Sequence, residues 1–184
     1  MLFTECGKLP DMIVRFAEDI DLDKAVEMYD EIIDDTEGKA ESPKWTKGIY
    51  PEREYLCNAI RNRELIIALD GDDIAGGIIF NHKCAPGYED APWAVEAAPD
   101  EVYTIHTLGV RPGYQHRGIA SLLSEAVIEE AGKRGAKAVR LDVIEGNTPS
   151  ILLYEKLGFI NHGKHPLQYD SVSVTEFTLM EKVL

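Results

Sequence analysis

The stretch from Val110 to Ala120 has the residue types and spacing of a phosphate-binding turn. Pro112 ends the preceding strand, and Gly113 and Gly118 lack the Cβ atoms that would block a close approach or forbid unusual dihedrals. The first N–H groups of a helix have no partners inside the helix and carry partial positive charge, so a diphosphate can bind them without a dedicated side chain. The alternative, a plain strand-to-helix turn that contains glycine, stays open on this pattern alone.

Two other nucleotide-binding motifs do not fit this stretch. It has no Gly-Lys-Ser/Thr, which argues against a P-loop kinase. It also lacks the three-glycine dinucleotide fingerprint at the required spacing. The turn therefore binds phosphate, if it does so, by another scheme.

A helix must follow the turn, because apolar residues recur at three- and four-residue spacing after it. They are Ile119, Leu122, Leu123, Ala126, Val127 and Ala131. Glu129 with Lys133 and Glu130 with Arg134 are i,i+4 pairs, and Gly135 suits the position just past the helix. Tyr103–Val110 and Lys137–Ile144 are predicted strands on either side, which gives a right-handed βαβ unit with parallel strands.

These motifs together resemble the GCN5-related N-acetyltransferase (GNAT) family. Its acyl-CoA signature, Gln/Arg-x-x-Gly-x-Gly/Ala, is matched by Gln115–Ala120, with Ala120 in place of the more usual glycine. Leu108-Gly-Val110-Arg-Pro112 resembles the family's fourth strand and its exit, and Asn147 with Leu153–Phe159 resembles the second CoA-binding element. Phe177-Thr-Leu-Met-Glu-Lys is similar to the last strand, so the resemblance covers about Met12 to the end and is strongest from Tyr103 to Phe159.

The resemblance implies an α/β fold of the α+β mixed-sheet type, a GNAT-like acyl-CoA N-acyltransferase fold. Its central sheet is mostly antiparallel, with parallel fourth and fifth strands, and helices flank it. Acetyl-CoA is the implied cofactor, its diphosphate on the backbone N–H groups of Gln115–Ala120 and its pantetheine arm along Leu108–Val110. Family members splay the two parallel strands there, so an amide of Leu108 or Gly109 would face the thioester carbonyl. The implied donor-binding residues are Leu108, Gly109, Val110, Gln115, His116, Arg117, Gly118, Ile119, Ala120, Asn147 and Tyr154.

Tyr154 is the candidate general acid. A phenol with a pKa of ~10 is protonated at neutral pH, whereas a departing thiolate with a pKa of ~8.5 accepts a proton at little cost. The alternative is a helix tyrosine that only packs. The resemblance implies that Asn147 binds the CoA arm through its side-chain amide. The alternative is a turn residue, because Asn favours turns without any ligand.

His106 is the first candidate for the base that deprotonates the acceptor. An alkyl amine with a pKa of ~10.4 is neutral in only about one molecule in a few thousand at pH 7, so a base or a dehydrating pocket is needed. On an alternating strand His106 shares a face with Thr104, Leu108 and Val110, and family members often place a His or Glu here. Glu101 is the second candidate, and a purely structural histidine stays open.

Aromatic residues are the candidates for the acceptor pocket. Trp45 and Tyr50 belong to an early loop, Trp93 lies in the Lys83–Asp100 segment, and Glu101 follows that segment. With the nearby Glu89, Asp90 and Glu96, such faces would select a cationic amine through cation–π and charge attraction. The alternative is that Trp93 packs its own loop. His162 and His165 lack partners at metal-ligand spacing, so no metal is assigned.

Composition excludes several classes of protein. A net charge of −14 opposes nonspecific contact with nucleic acid or anionic membranes. Three widely spaced cysteines, without Cys-x-x-Cys, argue against a disulfide framework and favour a reducing cytoplasm. No signal peptide or transmembrane span is recognised, and 184 residues suit a single domain over 1–184.

The remaining elements are predicted from periodicity and turn residues. They are a strand at Met12–Phe16, a helix from Asp19–Asp23 to Thr36, a helix from Pro51 to Arg61, strands at Leu65–Leu69 and Ile74–Asn81 joined by the Asp70–Asp73 turn, a helix from Thr148–Pro149 to Gly158, and strands near Phe159–His162 and Val172–Met180. Gly76 and Gly77 indicate a bulge or a close backbone approach.

We therefore expect an N-acetyltransferase that moves an acetyl group from acetyl-CoA to a primary amine of a small molecule or protein, in a ternary complex. The alternative is a noncatalytic acyl-CoA-binding regulatory module, which would need neither Tyr154 nor a base. An RNA-directed acetyltransferase is disfavoured by the acidic balance. The sequence leaves open the acceptor, the acyl length and the oligomeric state, a homodimer included.

Overall fold

The computed structural model describes residues 12–40, 42–169 and 176–184. Their contacts group into two compact units built from interleaved segments. The first unit takes residues 12–37, 45–80 and 106–127, and the second takes 38–44, 81–105 and 128–184 where these are described. The prediction of a single domain over 1–184 stays a prediction.

The first unit contains three antiparallel strands, two helices and parts of one further strand and one further helix. Strand β1 is Met12–Phe16, α1 is Leu22–Thr36, α2 is Arg53–Arg61, β2 is Leu65–Asp70 and β3 is Asp73–Asn81. The shared elements are β4, Val102–Val110, and α3, Ile119–Lys133, each of which crosses from one unit to the other. Residues from α1, α2, β2 and β3 form one core, in which Met28, Tyr29, Leu56 and Leu65 are at most 1% exposed.

The hairpin and the glycine pair of this unit follow the prediction. Asp70 pairs with Asp73 across a two-residue turn in which Gly71 has a φ of +61°. The register shifts between the pairs Ala68↔Gly76 and Leu69↔Ile74, so that Ala75 is the extra residue on β3, next to the predicted position Gly76–Gly77. A Cβ on Gly76 would lie 2.9 Å from the carbonyl oxygen of Gly109, so the backbones of β3 and β4 approach closely here.

The second unit contains the parallel strand pair. Strand β5 is Ala138–Ile144, α4 is Thr148–Lys156, β6 is Ile160–Pro166 and β7 is Glu176–Val183. The parallel β4–β5 ladder runs from Val102↔Ala138 to Thr104↔Arg140, and β7 lies antiparallel between β5 and β6. The strand order is β1-β2-β3-β4-β5-β7-β6, and β4 belongs to both units. This is the predicted mixed sheet with parallel fourth and fifth strands.

Both helices that follow β4 end as predicted. Gly135 has a φ of +81°, and the bonds Ala136 N–H to Ala131 O and Gly135 N–H to Gly132 O close α3 in a Schellman motif. Gly158, with the same φ, closes α4 by the equivalent pair of bonds. The predicted pairs Glu129–Lys133 and Glu130–Arg134 are both present.

Several boundaries differ from the prediction, and β7, for example, ends at Val183 rather than at Met180. The cap of α4 is Asn147 rather than Thr148, because the Asn147 side-chain oxygen accepts the Ser150 N–H. Helix α2 begins at Arg53, two residues after Pro51. Strand β6 extends to Pro166 because it pairs with β7 as far as Glu176, and predicted strand positions 172–175 lie outside the described residues. None of the described helices has the length and apolarity required to cross a bilayer.

Candidate active site

The turn between β4 and α3 presents its backbone to solvent. Gln115, His116, Arg117 and Gly118 are exposed, and α3 begins at Ile119. The hydrogen bonds found in the described part of the chain include none donated by a backbone N–H from Gln115 to Ser121. N–H groups without partners at the start of a 15-residue helix have the chemistry to bind an anion, and the assignment of this turn as the diphosphate site stays a prediction.

Unusual backbone dihedrals, rather than crowding, explain the glycines of this turn. Gly113 and Gly118 each have a φ of +85°, and a Cβ at either would meet no atom within 4 Å. His116 takes a φ of +61° without being glycine. The turn thus contains three left-handed positions, and glycine adopts two of them without strain.

Arg111 fixes the start of the turn, a role that the sequence did not reveal. Its Nε and Nη2 donate to the two carboxylate oxygens of Glu31 on α1, each at 2.6 Å. Its backbone N–H donates to Ala75 O on β3 at 2.9 Å. The hydrogen bond from Arg111 lowers the pKa of Glu31, which keeps this pair charged. Glu31 lies 80 residues away in sequence, so no local pattern indicates the pairing.

The segment of β4 that is predicted to bind acetyl-CoA packs against α1. Thr107 has a φ of +42° within the strand, and its carbonyl accepts the Tyr29 hydroxyl at 2.9 Å. A Cβ on Gly109 would lie 2.8 Å from Ile32 and 3.5 Å from Trp45, so glycine is required there. The ladder to β5 stops at Thr104, although β4 continues to Val110. Leu108, Gly109 and Val110 thus follow an irregular point in the strand.

Two aromatic candidates belong to the first unit. Trp45 meets Tyr29 edge to face, with ring centroids 5.7 Å apart, and lies near Gly109. Tyr50 packs on Tyr55 at 5.2 Å. Burial raises the pKa of the Tyr29 phenol above its usual range, so Tyr29 stays protonated as a donor to Thr107. The structure brings Trp45 to Gly109.

The catalytic candidates are divided between the units. His106 is partly buried on β4 in the first unit, and Tyr154 is 3% exposed on α4 in the second. Tyr154 meets Phe159 edge to face at 5.1 Å. Asn147 uses its side-chain oxygen to cap α4, which leaves its amide nitrogen to donate elsewhere. The roles of these residues stay predictions.

Glu101 has a geometry that makes it a weak base. Its Oε2 lies 2.7 Å from Lys137 Nζ and also accepts the Ala98 N–H at 2.9 Å. The hydrogen bond from Lys137, followed by that from Ala98, lowers the pKa of Glu101. A carboxylate with a lowered pKa accepts a proton less readily, so His106 is the stronger of the two candidates.

Trp93 packs within its own loop, as the alternative prediction held. Its indole N–H donates to Tyr88 O at 2.7 Å, and the guanidinium of Arg140 lies 4.4 Å from its ring centroid. It also lines a cavity of about 470 Å³ in the second unit. The sequence analysis did not single out Arg140 or its partner Glu181, which are 41 residues apart.

A comparison of sequences identifies the family. The model of the acetyltransferase (GNAT) family matches residues 25–159, which include β4, the turn, α3 and α4. The chain belongs to this family, whose members use acetyl-CoA. The match covers the exposed N–H groups of the turn together with Tyr154.

Characterised relatives are similar over part of the chain. The [ribosomal protein bS18]-alanine N-acetyltransferase of Escherichia coli strain K12 is 36% identical over 80 residues, 44% of this chain and 54% of that protein. The mycothiol acetyltransferase of Corynebacterium glutamicum is 29% identical over 99 residues, 54% of this chain and 29% of that protein. The chain thus spans about half the length of the first of these relatives.

Solved structures share the fold. An acetyltransferase of the GNAT family from Streptococcus agalactiae has a TM-score of 0.74 at 19% identity, covering 94% of this chain and 95% of that one. The structure of yncA from Salmonella typhimurium with its cofactor acetyl-CoA has a TM-score of 0.69 at 19% identity, covering 94% of both chains. These likenesses establish the fold alone.

Proposed function

We propose that this protein is an N-acetyltransferase that transfers the acetyl group of acetyl-CoA to a primary amine of a small molecule or a protein, by direct attack in a ternary complex. The observation that carries the proposal is the run of backbone N–H groups from Gln115 to Ser121, at the start of α3, that donate no hydrogen bond within the described part of the chain. A diphosphate satisfies such groups and interacts favourably with the helix dipole.

The chain offers the residues needed to hold this donor. The N–H groups of Gln115–Ala120, in the stretch that includes His116, Arg117, Gly118 and Ile119, would bind the diphosphate. Leu108, Gly109 and Val110 would pair with the pantetheine arm like an added strand, and Asn147 would donate its side-chain amide to the same arm. Bound acetyl-CoA supplies a thioester: the amine nitrogen bonds to its carbonyl carbon, and the carbon–sulfur bond breaks to release a thiolate.

Tyr154 would donate the proton that the thiolate takes up. A phenol near its usual pKa of ~10 gives up a proton to a thiolate near ~8.5 only when the two are close, so the transfer is coupled to bond breaking. The buried position of Tyr154 on α4 supports this role because it excludes competing water. An N–H of Leu108 or Gly109 would stabilise the thioester oxygen.

His106 would take the proton that the attacking amine loses. It is partly buried, and the paired state of Glu101 with Lys137 makes that carboxylate a poorer acceptor. We expect His106→Ala to remove the ascending limb of the pH–rate profile, which reports the base. An unchanged profile would assign the proton to another group or to water.

The proposal also covers the acceptor, the cellular location and the partners of the protein. A relative whose name specifies a protein alanine as acceptor supports an amine acceptor here. Cys57 and Cys84 are free thiols in the described part of the chain, which agrees with a cytoplasmic location. The net charge of −14 disfavours nucleic acid and anionic membranes as partners, and a homodimer stays an open prediction.

Thiol release from acetyl-CoA is the measurement that tests this function. We expect turnover with at least one member of a panel of polyamines, amino acids, aminoglycosides and peptides. Tight binding of CoA without turnover on any of them would favour a noncatalytic acyl-CoA-binding module. Absence of CoA binding would contradict the proposal itself.

A further inference from the structure

The second unit contains a partly open cavity, and none of the residues that would hold acetyl-CoA or transfer protons line it. Its volume of about 470 Å³ is that of a small-molecule site. The walls are mainly apolar and aromatic, with Tyr88, Trp93, Val95 and Val102 among them. Thr104 of β4 also lines it.

Residues 93–95, here called the strap, form one wall and are held by a buried charge pair. Arg140 Nη2 donates to Val95 O at 2.6 Å, and Glu181 Oε2 accepts the Ala94 N–H at 2.6 Å. Arg140 Nε also donates to Glu181 Oε1 at 2.9 Å. The guanidinium lies against the Trp93 ring. Both charged side chains thus bond to the strap as well as to each other.

The position of this pair indicates that it serves the cavity rather than stability. Arg140 on β5 and Glu181 on β7 are direct partners in the ladder, 8% and 0% exposed. A buried ion pair is often no more stabilising than apolar residues of similar volume. What an apolar pair cannot do is anchor the backbone of the strap at two points, which fixes the wall.

The cavity lining carries uncompensated negative charge. Arg140 is neutralised by Glu181, whereas Glu89 and Glu96, which also line the cavity, form no ion pair within the described residues. Glu89 accepts the Gly87 N–H, and both side chains are exposed. Aromatic walls with carboxylates at the rim suit an organic cation.

We propose that this cavity binds the acceptor, and that the acceptor is a small diamine or polyamine; the proposal rests on the acetyl-transfer function above. A carboxylate close to the attacking amine would raise the pKa of that amine and keep it protonated. The cation that Glu89 and Glu96 recognise must therefore be a second ammonium group. It stays charged while the other amine reacts.

Cadaverine and pentylamine test this charge recognition, because they share a carbon chain and differ by one amine. We expect the wild-type KM for cadaverine to be about tenfold below that for pentylamine, as two exposed carboxylates acting on one cation imply. The double variant Glu89→Gln/Glu96→Gln should raise the KM for cadaverine to that of pentylamine.

A matched control removes the same charge elsewhere. Glu52→Gln/Glu54→Gln alters two exposed carboxylates of the first unit that do not line the cavity, and it should leave the cadaverine preference intact. Turnover with equal KM values for the two amines, or a preference that survives the Glu89/Glu96 substitutions, would overturn the proposal.

A binding measurement separates this proposal from the function on which it rests. Calorimetry with cadaverine needs no acetyl transfer. If no amine is acetylated, cadaverine binding that the Glu89/Glu96 variant abolishes would still support the cavity, and no cadaverine binding would overturn it.

Arg140 and Glu181 are positioning residues in this account, since they act through the strap. In Arg140→Met/Glu181→Leu we expect the KM for cadaverine to rise several-fold while kcat stays constant. An unchanged KM in a folded double variant would show that the pair does not position the wall.

Discussion

Tyr154 is the residue whose chemistry separates a transferase from a binding module. We expect Tyr154→Phe to lower kcat about a hundredfold, because the departing thiolate loses its proton donor. The affinity for CoA, measured by calorimetry, should change far less. Phenylalanine retains the ring that packs against Phe159.

Tyr169→Phe is the matched control for this substitution. It removes another hydroxyl of the same unit, which donates to Asp142, and should leave kcat unchanged. A loss of less than about threefold in Tyr154→Phe would tell against the acid role.

The carboxyl groups of Asp142 and Asp21 make the free energy of unfolding depend on pH in opposite directions. Burial raises the pKa of Asp142, although hydrogen bonds from Tyr88 and Tyr169 oppose this shift. As pH rises, the carboxyl group therefore loses its proton in the unfolded chain before it does so in the folded protein. The contribution of Asp142 to the free energy of unfolding thus falls as pH rises above ~3.9. Asp142→Asn should therefore gain stability relative to the wild type as pH rises from about 4. The measurement is the free energy of unfolding in urea across pH.

Asp21 provides the contrast. Burial opposes its charge, but hydrogen bonds from Arg15 and the Glu18 N–H prevail and lower its pKa. Its contribution is present above ~3.9 and is lost as pH falls through the lower folded value. Asp21→Asn should lose stability near neutral pH and approach the wild type in acid. Parallel slopes for the two variants would contradict this account.

At the scale of single residues, the sequence predicted what adjacent positions determine. The left-handed dihedrals of Gly113 and Gly118 follow from local needs, whereas the role of Gln115–Ala120 comes from the family resemblance and stays a prediction. The pairs Arg111–Glu31 and Arg140–Glu181 could not be predicted, because each joins residues that are far apart in the chain and that only the packing of distant elements brings together. The weak basicity of Glu101 likewise depends on Lys137.

At the scale of elements, the turn before α3 and the end of α3 offer a matched pair of glycines. Gly118 and Gly135 have φ values of +85° and +81°, and a Cβ at either meets no atom within 4 Å. Alanine at either position should cost roughly 1 kcal/mol of stability, since both adopt left-handed dihedrals. Only Gly118→Ala should also weaken CoA binding, because only it reshapes the proposed diphosphate site.

Calorimetry with CoA and chemical unfolding measure the two effects separately. Equal CoA affinities in the two alanine variants would show that the turn is not the binding element. A stability loss without an affinity loss in Gly118→Ala would lead to the same conclusion.

The buried pair Arg140–Glu181 lies in the ladder between β5 and β7, and the free energy of unfolding tests its contribution. Glu181→Gln leaves Arg140 as an uncompensated buried charge, which should lower the free energy of unfolding by about 3 kcal/mol. Arg140→Met/Glu181→Leu removes both charges and should recover most of that loss. A double variant less stable than the single one would show that the pair itself stabilises the fold.

Most element boundaries could be predicted, and the exceptions have physical causes. Helices α1 and α3 and the β2–β3 turn carry periodicity, caps and glycines within a few residues. Strand β6 was predicted too short because its exposed polar residues follow no alternation, and its length is set by pairing with β7. The loop after β3 has no local signal for its packing on Arg140.

At the scale of the whole molecule, family membership was predictable and the arrangement of contacts was not. The family signatures occupy short stretches in a fixed order, and the family match over 25–159 includes those on β4, the turn and α4. The grouping into two units depends on contacts between distant segments, as β4 and α3 illustrate by belonging to both. The strongly acidic composition fits an enzyme whose acceptor is cationic.

Calorimetry with acetyl-CoA tests the central claim most directly, with S-acetylpantetheine, which lacks the diphosphate, as the comparison. We predict measurable heat for acetyl-CoA and an affinity at least about a hundredfold lower for S-acetylpantetheine, because charge-assisted bonds to the turn are lost. Equal affinities for the two compounds, or no heat with acetyl-CoA, would contradict a diphosphate site on the N–H groups from Gln115 to Ser121.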